Sequence, residues 1–249
     1  MTTATSALAE LLRSANYVDL SPTIENGMPR WVTHPPLIVN PTVNHDHDDY
    51  YCQTISLAEH TGSHIDAPAH IHKTMMDATI DTVPVQTFLA PAKVFDVRPL
   101  GLGPGDLLTA DMLRQIDDAS GAPLQVGDVA LVNFGWWERY WFVDHRWRWY
   151  SENTPGLSED ACAWLTERRP VAVGADNVAF DIALHDGVQV QKSYGHDDYF
   201  LPNSIYIIEC LANLDQLPRE AFFMAFPLKI DRGSGSPVRA VGLTFPRGT

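Results

Sequence analysis

Gly62 and Pro68 deny a helix to the stretch that carries four of the chain's ten histidines. The run from His60 to His72 reads HTGSHIDAPAHIH and places four imidazoles and one carboxylate in close succession. A glycine costs about 1 kcal/mol in a helix interior and a proline about 3 kcal/mol, so this backbone is extended or turning. On a helix His60 and His64 would share a face at i, i+4, while Asp66 pointed elsewhere. In extended backbone, residues 60, 64 and 66 have the same parity and project to one side. Residues 52–57 alternate and predict a strand that enters the segment. A strand end turning into a loop would gather two imidazoles and a carboxylate.

Two histidines and one carboxylate suit Zn²⁺, Mn²⁺ or Fe²⁺ and leave positions for water and substrate. His60, His64 and Asp66 are therefore the candidate ligands. His70 and His72 continue the parity, and one of them is a candidate acid or base beside the ion. Gly62 lets the backbone pass close to the metal. A lone histidine is more often a surface or hydrogen-bonded core residue. The pattern HxxxHxD followed by His70, closed in by Gly and Pro, is better explained by chemistry.

Charge and composition narrow the alternatives. With 17 Lys and Arg against 31 Asp and Glu, the formal net charge is −14. No basic run exists, which argues against nucleic acid and against anionic membrane surfaces as partners. Cys52, Cys162 and Cys210 are odd in number and lack a CxxC spacing. They predict reduced, buried thiols in a cytoplasmic protein rather than a disulfide framework or cysteine zinc site. No run approaches the roughly 20 apolar residues of a membrane span, and residues 1–6 lack a signal-peptide pattern. The 249 residues, 45% apolar and without a linker, predict one domain over 1–249.

Along the chain, residues 5–14 suit a short amphipathic helix and 17–20 a first strand. A Pro-rich loop follows, and 45–49 (HDHDD) reads as a solvated turn. Pro84 sits where a helix could start. Residues 94–97 predict a strand, 100–105 a turn, and 109–118 a helix capped by Thr109. Strands are expected at 130–134, 171–174, 204–209, 221–226 and 238–245. A helix is expected at 158–169, with acids in its first turn and arginines in its last. Residues 231–237 (DRGSGSP) read as a mobile turn without chemistry. Many short strands with few helices between them predict an α/β fold built mainly on β-structure.

The stretch 134–150 (FGWWERYWFVDHRWRWY) is the second unusual segment. Trp136, Trp137 and Trp141 are candidates for an aromatic pocket wall, with Arg139, Arg146 or Arg148 for a carboxylate. Core packing or a subunit interface would use the same residues. Residues 176–186 and 189–199 are candidate substrate loops, with His185 and Lys192 in them.

His60-Thr61-Gly62-Ser63-His64-Ile65-Asp66-Ala67-Pro68 with His70 resembles the HxGTHxDxPxH motif of the metal-dependent cyclase family, which includes bacterial kynurenine formamidases and isatin hydrolases. Val18-Asp19-Leu20-Ser21, Gly27-Met28-Pro29, Val173-Gly174-Ala175-Asp176 and Ile207-Ile208-Glu209 also look familial, so the likeness covers most of the chain. Ser63 stands where Thr is common. The resemblance implies a β-rich mixed sheet with a barrel-like core and few peripheral helices (swivelling β/β/α), usually in homodimers or homotetramers. It implies hydrolysis of an amide-type C–N bond by metal-activated water. By motif position His60, His64 and Asp66 would be ligands and His70 the catalytic acid/base. In two-zinc members the motif Asp bridges to a second ion, and here His196 and Glu209 look like its other ligands. The gap between them is about a residue longer than the formamidase pattern, and isatin-hydrolase-like members use one ion, often manganese. The expectation is therefore Zn²⁺ or Mn²⁺, one or two ions, and a small cyclic or aromatic substrate. Lactone hydrolysis on the same scaffold, a ferrous oxygenase and a non-catalytic metal-binding protein are the alternatives.

Overall fold

The computed structural model describes residues 3–246. Nine strands form one mixed sheet. Its order is Asn16–Asp19, Val241–Thr244, Glu220–Met224, Leu89–Asp96, Val129–Asn133, Ala172–Ala175, Tyr206–Glu209, His64–Asp66 and Gly235–Pro237. The four strands from Leu89–Asp96 to Tyr206–Glu209 run parallel, and every other pairing is antiparallel. The fold is that expected from the strand-rich sequence: a half-barrel sheet with few helices.

The parallel strands are apolar on both faces, as strands covered on both sides must be. Ala130, Val132, Phe95, Val173 and Ile207 enter one core cluster together with Trp136, Tyr150 and Trp164. Val129, Leu131, Val94, Ala172 and Ile208 enter a second on the opposite face, with Leu20, Ile65 and Phe223. This period-2 division sets the site. Ile65 faces the second cluster, so His64 and Asp66 face the other way. Glu209 stands opposite His64 and Ile207 opposite Asp66 in the antiparallel register. Three side chains of unlike chemistry thus share one patch of sheet.

The helices follow their local signals. Ala110–Ala119 is capped by Thr109, whose hydroxyl accepts from the Met112 N–H; such a cap contributes about 1 kcal/mol. Glu159–Glu167 carries Glu159 and Asp160 in its first turn, at the positive end of the helix dipole. The amphipathic helix Ala4–Ser14 forms but buries none of its residues. Among the described residues no helix is long and apolar enough to cross a membrane.

Some local expectations needed correcting. No helix follows Pro84; a short 3₁₀ turn, Ile80–Thr82, leads to the strand at Leu89. The strand Cys52–Ser56 does not join the main sheet. It pairs with Ile38–Val43 in a separate hairpin, and all its residues are exposed. Cys52 is therefore exposed, whereas Cys162 and Cys210 are buried; all three are free thiols. Residues 231–237 are not an isolated turn: after a turn at its start, Gly235–Pro237 pairs with His64–Asp66 as the edge strand of the sheet.

Candidate functional site

His64 and Asp66 project together from one face of their strand, as parity predicts. His60 arrives differently. Residues 59–63 bend rather than extend, and Gly62 adopts φ +63°. A side chain there would be strained, and its Cβ would lie 3.3 Å from the Met28 Cε. The bend folds His60 back so that its Nδ1 lies 2.6 Å from Asp66 Oδ1. His64 Nε2 lies 3.5 Å from Asp66 Oδ1 and 3.5 Å from Glu209 Oε2. His196 enters from the π-helical turn Gly195–Tyr199, with Nε2 3.5 Å from Asp66 Oδ2 and 3.6 Å from Glu209 Oε1. The five residues singled out for metal binding are therefore brought to one place.

The donors fall into two sets that share Asp66. One is His60, His64 and Asp66; the other is Asp66, His196 and Glu209. Each set offers nitrogen and carboxylate oxygen, the mixture that suits zinc or manganese. Asp66 and Glu209 are both buried, and among the described residues neither pairs with Lys or Arg. Two buried carboxylates side by side are costly without a compensating cation. The donor chemistry fits a divalent ion in either set.

The electrostatics agree. Burial and the neighbouring Asp66 charge push the Glu209 carboxyl up to about 7. Burial opposes ionisation of Asp66 as well, but His60, His64 and His196 outweigh it and hold that carboxyl well below the usual range. Burial lowers His64 to about 4. For His196 burial is overcome by Asp181, and the imidazole rises well above its ordinary value.

Each candidate ligand histidine has its other nitrogen tethered. His64 Nδ1–H donates to the Gly62 carbonyl at 2.7 Å. His196 Nδ1–H donates to Asp181, a fully buried carboxylate that also accepts from the Gly195 N–H at 2.7 Å. His60 Nε2 lies 2.9 Å from Ser234 Oγ. Such contacts fix tautomer and ring orientation. Glycine makes room for them. A Cβ on Gly235 would lie 2.6 Å from His60 Cε1, and one on Gly195 would lie 2.7 Å from Asp181 Cγ.

His70 ends the 3₁₀ turn Pro68–His70, its ring 4.0 Å from that of His60 and 6.3 Å from that of His196, centroid to centroid. Burial, with the nearby His60 and His196, lowers its pKa to about 4 despite Asp66. An unperturbed imidazole would titrate near neutrality; this one is neutral there. His72 is turned away, its Nε2 3.1 Å from the His196 carbonyl.

Beside these groups lies a cavity of about 330 Å³, within the range of small-molecule sites. Its apolar wall includes Trp31, Ile71, Val178, Ala179 and Ile182, and its polar lining adds His34, Ser193 and Asp197 to the central cluster. Both candidate substrate loops contribute to it. His185 and Lys192 do not, and Lys192 pairs with Asp198 at 2.6 Å.

Trp136, Trp137 and Trp141 do not line this cavity. Trp136 is fully buried, stacked on Trp149 at 5.6 Å. Gly135, at φ +69°, turns the chain, and the Asp176 carboxylate accepts from the N–H groups of Phe134, Trp136 and Trp137. That capping draws the helix Trp136–Tyr140 into the core. Trp141 packs edge-on against Tyr150 at 5.1 Å. Arg139 is taken up by the Gly135 and Phe134 carbonyls, while Arg146 and Arg148 pair with Asp144 and Glu152. The segment packs into the core, and its Tyr150 hydroxyl donates to the Asp176 carbonyl at 2.7 Å. Arg30 lies over Trp147 at 3.9 Å and its carbonyl accepts from Ser151 Oγ at 2.6 Å, holding the loop that presents Trp31 and His34.

Sequence reasoning passed over Trp31, His34, Glu59, Asp181 and Ser234. Trp31 and His34 carry the one available signal, an aromatic and an imidazole three residues apart in a Pro-rich loop that has no strand to pack.

Comparison with known proteins gives a consistent picture. The family model described as "Putative cyclase" matches residues 18–182. Isatin hydrolase of Roseibium aggregatum is 30% identical over 197 residues, covering 75% of this chain and 72% of that protein. Kynurenine formamidase of Bordetella petrii is 26% identical over 187 residues, covering 75% of this chain and 78% of that one. Among solved structures, an isatin hydrolase bound to the product analogue thioisatinate superposes with a TM-score of 0.85 at 27% identity, over 98% of this chain and 100% of that one.

Proposed function

The chain belongs to the cyclase family and is a metal-dependent amide hydrolase; we propose that it opens a small, uncharged cyclic amide or imide and releases a carboxylate. The observation that carries this reading is Asp66, common to two donor sets on the wall of a mainly apolar cavity. His60, His64 and Asp66 would hold one ion, zinc or manganese, and Asp66 with His196 and Glu209 would hold a second where two bind. A divalent ion bound there supplies Lewis acidity and a water of lowered pKa.

The chain's own groups do the rest. Trp31, Val178, Ala179 and Ile182 take the ring and exclude water. His70, neutral at working pH, accepts a proton from the attacking water and returns it to the leaving nitrogen. The cavity lining holds no Lys or Arg among the described residues. A substrate bearing its own carboxylate, as N-formylkynurenine does, would find no Lys or Arg side chain to pair with it away from the metal donors. A neutral ring would not need one, and the carboxylate formed on opening would be released towards solvent by the surrounding acids.

We extend the reading to the whole chain as one hydrolase domain, resident in the cytoplasm, where free thiols persist. A homodimer or homotetramer would cover the hairpin's exposed Ile38, Tyr50, Tyr51 and Ile55, since a lone two-stranded hairpin is marginal in water. The decisive experiment is metal analysis of the purified protein, followed by an anaerobic hydrolysis screen of isatin, small lactams, imides, lactones and N-formylkynurenine. Neutral cyclic amides should turn over fastest. Preference for N-formylkynurenine would sink the ring-opening proposal, and a requirement for oxygen would sink hydrolysis altogether.

A further inference from the structure

The segment Asp231 to Pro237 has a composition that the hydrolytic chemistry does not by itself require. Gly233 and Gly235 flank Ser234. The Gly233 carbonyl accepts from the Ile80 N–H at 2.9 Å and the Ser234 carbonyl from the Ala67 N–H at 2.9 Å. The serine is thus pinned on both sides. Ser234 Oγ lies 2.5 Å from Glu59 Oε2 and 2.9 Å from His60 Nε2, and the Ser234 N–H also donates to Glu59 Oε2 at 2.9 Å.

Counting protons fixes the direction of this relay. The Glu59 carboxylate only accepts, so the single hydroxyl proton of Ser234 goes to it. Ser234 Oγ then serves His60 as acceptor, and His60 Nε2 must carry a proton. That leaves Nδ1 as the nitrogen facing Asp66 Oδ1, at 2.6 Å. In the metal-free protein that contact is a hydrogen bond from Nδ1–H to the Asp66 carboxylate, and a bound ion would take the place of that proton. The flanking glycines are required by the same arrangement. A Cβ at Gly235 would strike the His60 ring, and one at Gly233 would lie 3.1 Å from Glu59 Oε1 and 2.8 Å from Ile80 Cγ2.

We propose that Glu59, acting through the Ser234 hydroxyl, is a positioning residue that holds the His60 ring with Nδ1 turned to Asp66 and so prepares that half of the metal site. The proposal rests on His60 being a ligand. Ser234 lies 175 residues from Glu59 in sequence, so the relay ties the His60 bend to the edge strand Gly235–Pro237.

The test is zinc affinity, measured by chelator competition without substrate, for wild type, Ser234→Ala and Glu59→Gln. Loss of the partner of a metal-binding imidazole weakens affinity about 10- to 100-fold, and Ser234→Ala should fall in that range. Glu59→Gln keeps the side-chain volume and loses only the charge, so it should fall towards the lower end and guards against a folding defect in the first variant. Long-range ¹H–¹⁵N spectra of the zinc-loaded protein supply a second readout. Wild type should show His60 protonated at Nε2 and ligated through Nδ1, and Ser234→Ala should shift or broaden the Nε2–H resonance. Zinc affinities within about twofold of wild type in both variants, or ligation through Nε2, would overturn the proposal. A wild-type protein that binds no zinc or manganese would instead overturn the metal reading beneath it.

Discussion

Two stretches of this chain are compositionally extreme, and only one lines the cavity. Residues 60–70 concentrate imidazole and carboxylate, and residues 134–150 concentrate tryptophan and arginine. The first supplies the cluster around Asp66. The second packs into the core and braces a neighbouring loop, while a single tryptophan elsewhere, Trp31, faces the cavity. The difference lies in what each side chain can do when buried. A buried carboxylate among histidines has few stable explanations other than a cation. A buried tryptophan is already explained by the area it removes from water. Density of donors is therefore informative about chemistry, and density of aromatics is informative about packing.

The comparison can be broken most severely at the donors. His64→Ala and Asp66→Ala should each lose metal and turnover together. The loss should exceed the roughly 100-fold expected for the outer partners of a metal ligand. Metal analysis beside turnover measurements tests this, and full activity after chelator treatment would remove these residues from the site. His70→Ala should keep its metal and lose about 10²- to 10⁴-fold in kcat, the usual worth of a general acid or base. Equal loss of metal would make His70 a ligand instead.

The tryptophans sharpen the contrast. Trp136→Ala should cost about 3–5 kcal/mol of stability in a denaturant titration and leave KM of the folded fraction unchanged. Trp31→Ala should do the reverse, raising KM about 2- to 10-fold for an aromatic substrate, the worth of one aromatic pair. If Trp136→Ala raised KM in a fully folded protein, the division between the two regions would fail.

A smaller effect belongs to Asp176, which caps the tryptophan-rich helix. Burial, opposed by three N–H donors, pushes its carboxyl up to about 6. A carboxyl whose pKa is raised on folding contributes stability that is fully present below its unfolded value, near 4, and is lost as pH rises through about 6. The full span is on the order of 3 kcal/mol, because each tenfold change in an ionisation constant is worth about 1.4 kcal/mol. Urea titrations at pH 5 and pH 7 should therefore show a greater loss of stability on raising pH in the wild type than in Asp176→Asn. Equal changes would show that Asp176 ionises in the folded protein as it does in the unfolded chain.

What the sequence made legible was local. Period-2 alternation marked the strands, Thr109 marked its helix, and parity placed His64 and Asp66 on one face. His60 was included for a reason the structure replaces, since it reaches the cluster through the Gly62 bend and not through extended backbone. His196 and Glu209 were reachable only by resemblance, because no spacing rule links them to residue 66. Glu59, Ser234 and Asp181 were not reachable at all. Glu59 and Ser234 meet across 175 residues only because of which strands neighbour one another, and Asp181 meets His196 15 residues on through irregular loops, so neither contact leaves a periodic trace. Residues 231–237 read as an idle turn for this reason: glycine and serine look alike in a mobile loop and in a tight clamp.

The pairing of His64–Asp66 has a consequence for how the protein is made. Both strands that flank it, Tyr206–Glu209 and Gly235–Pro237, lie well over 100 residues later in the sequence and are synthesised after it. While the ribosome is still extending the polypeptide, the motif strand has no neighbour and Asp66 has no His196 or Glu209 beside it. Competence thus arrives only after the other parallel strands, all synthesised earlier than Tyr206–Glu209, have had time to associate. Such late, long-range closure is slow, because loop entropy must be overcome before the contacts reward it. A chain ending before residue 235 would keep the whole motif and still lack the edge that frames it.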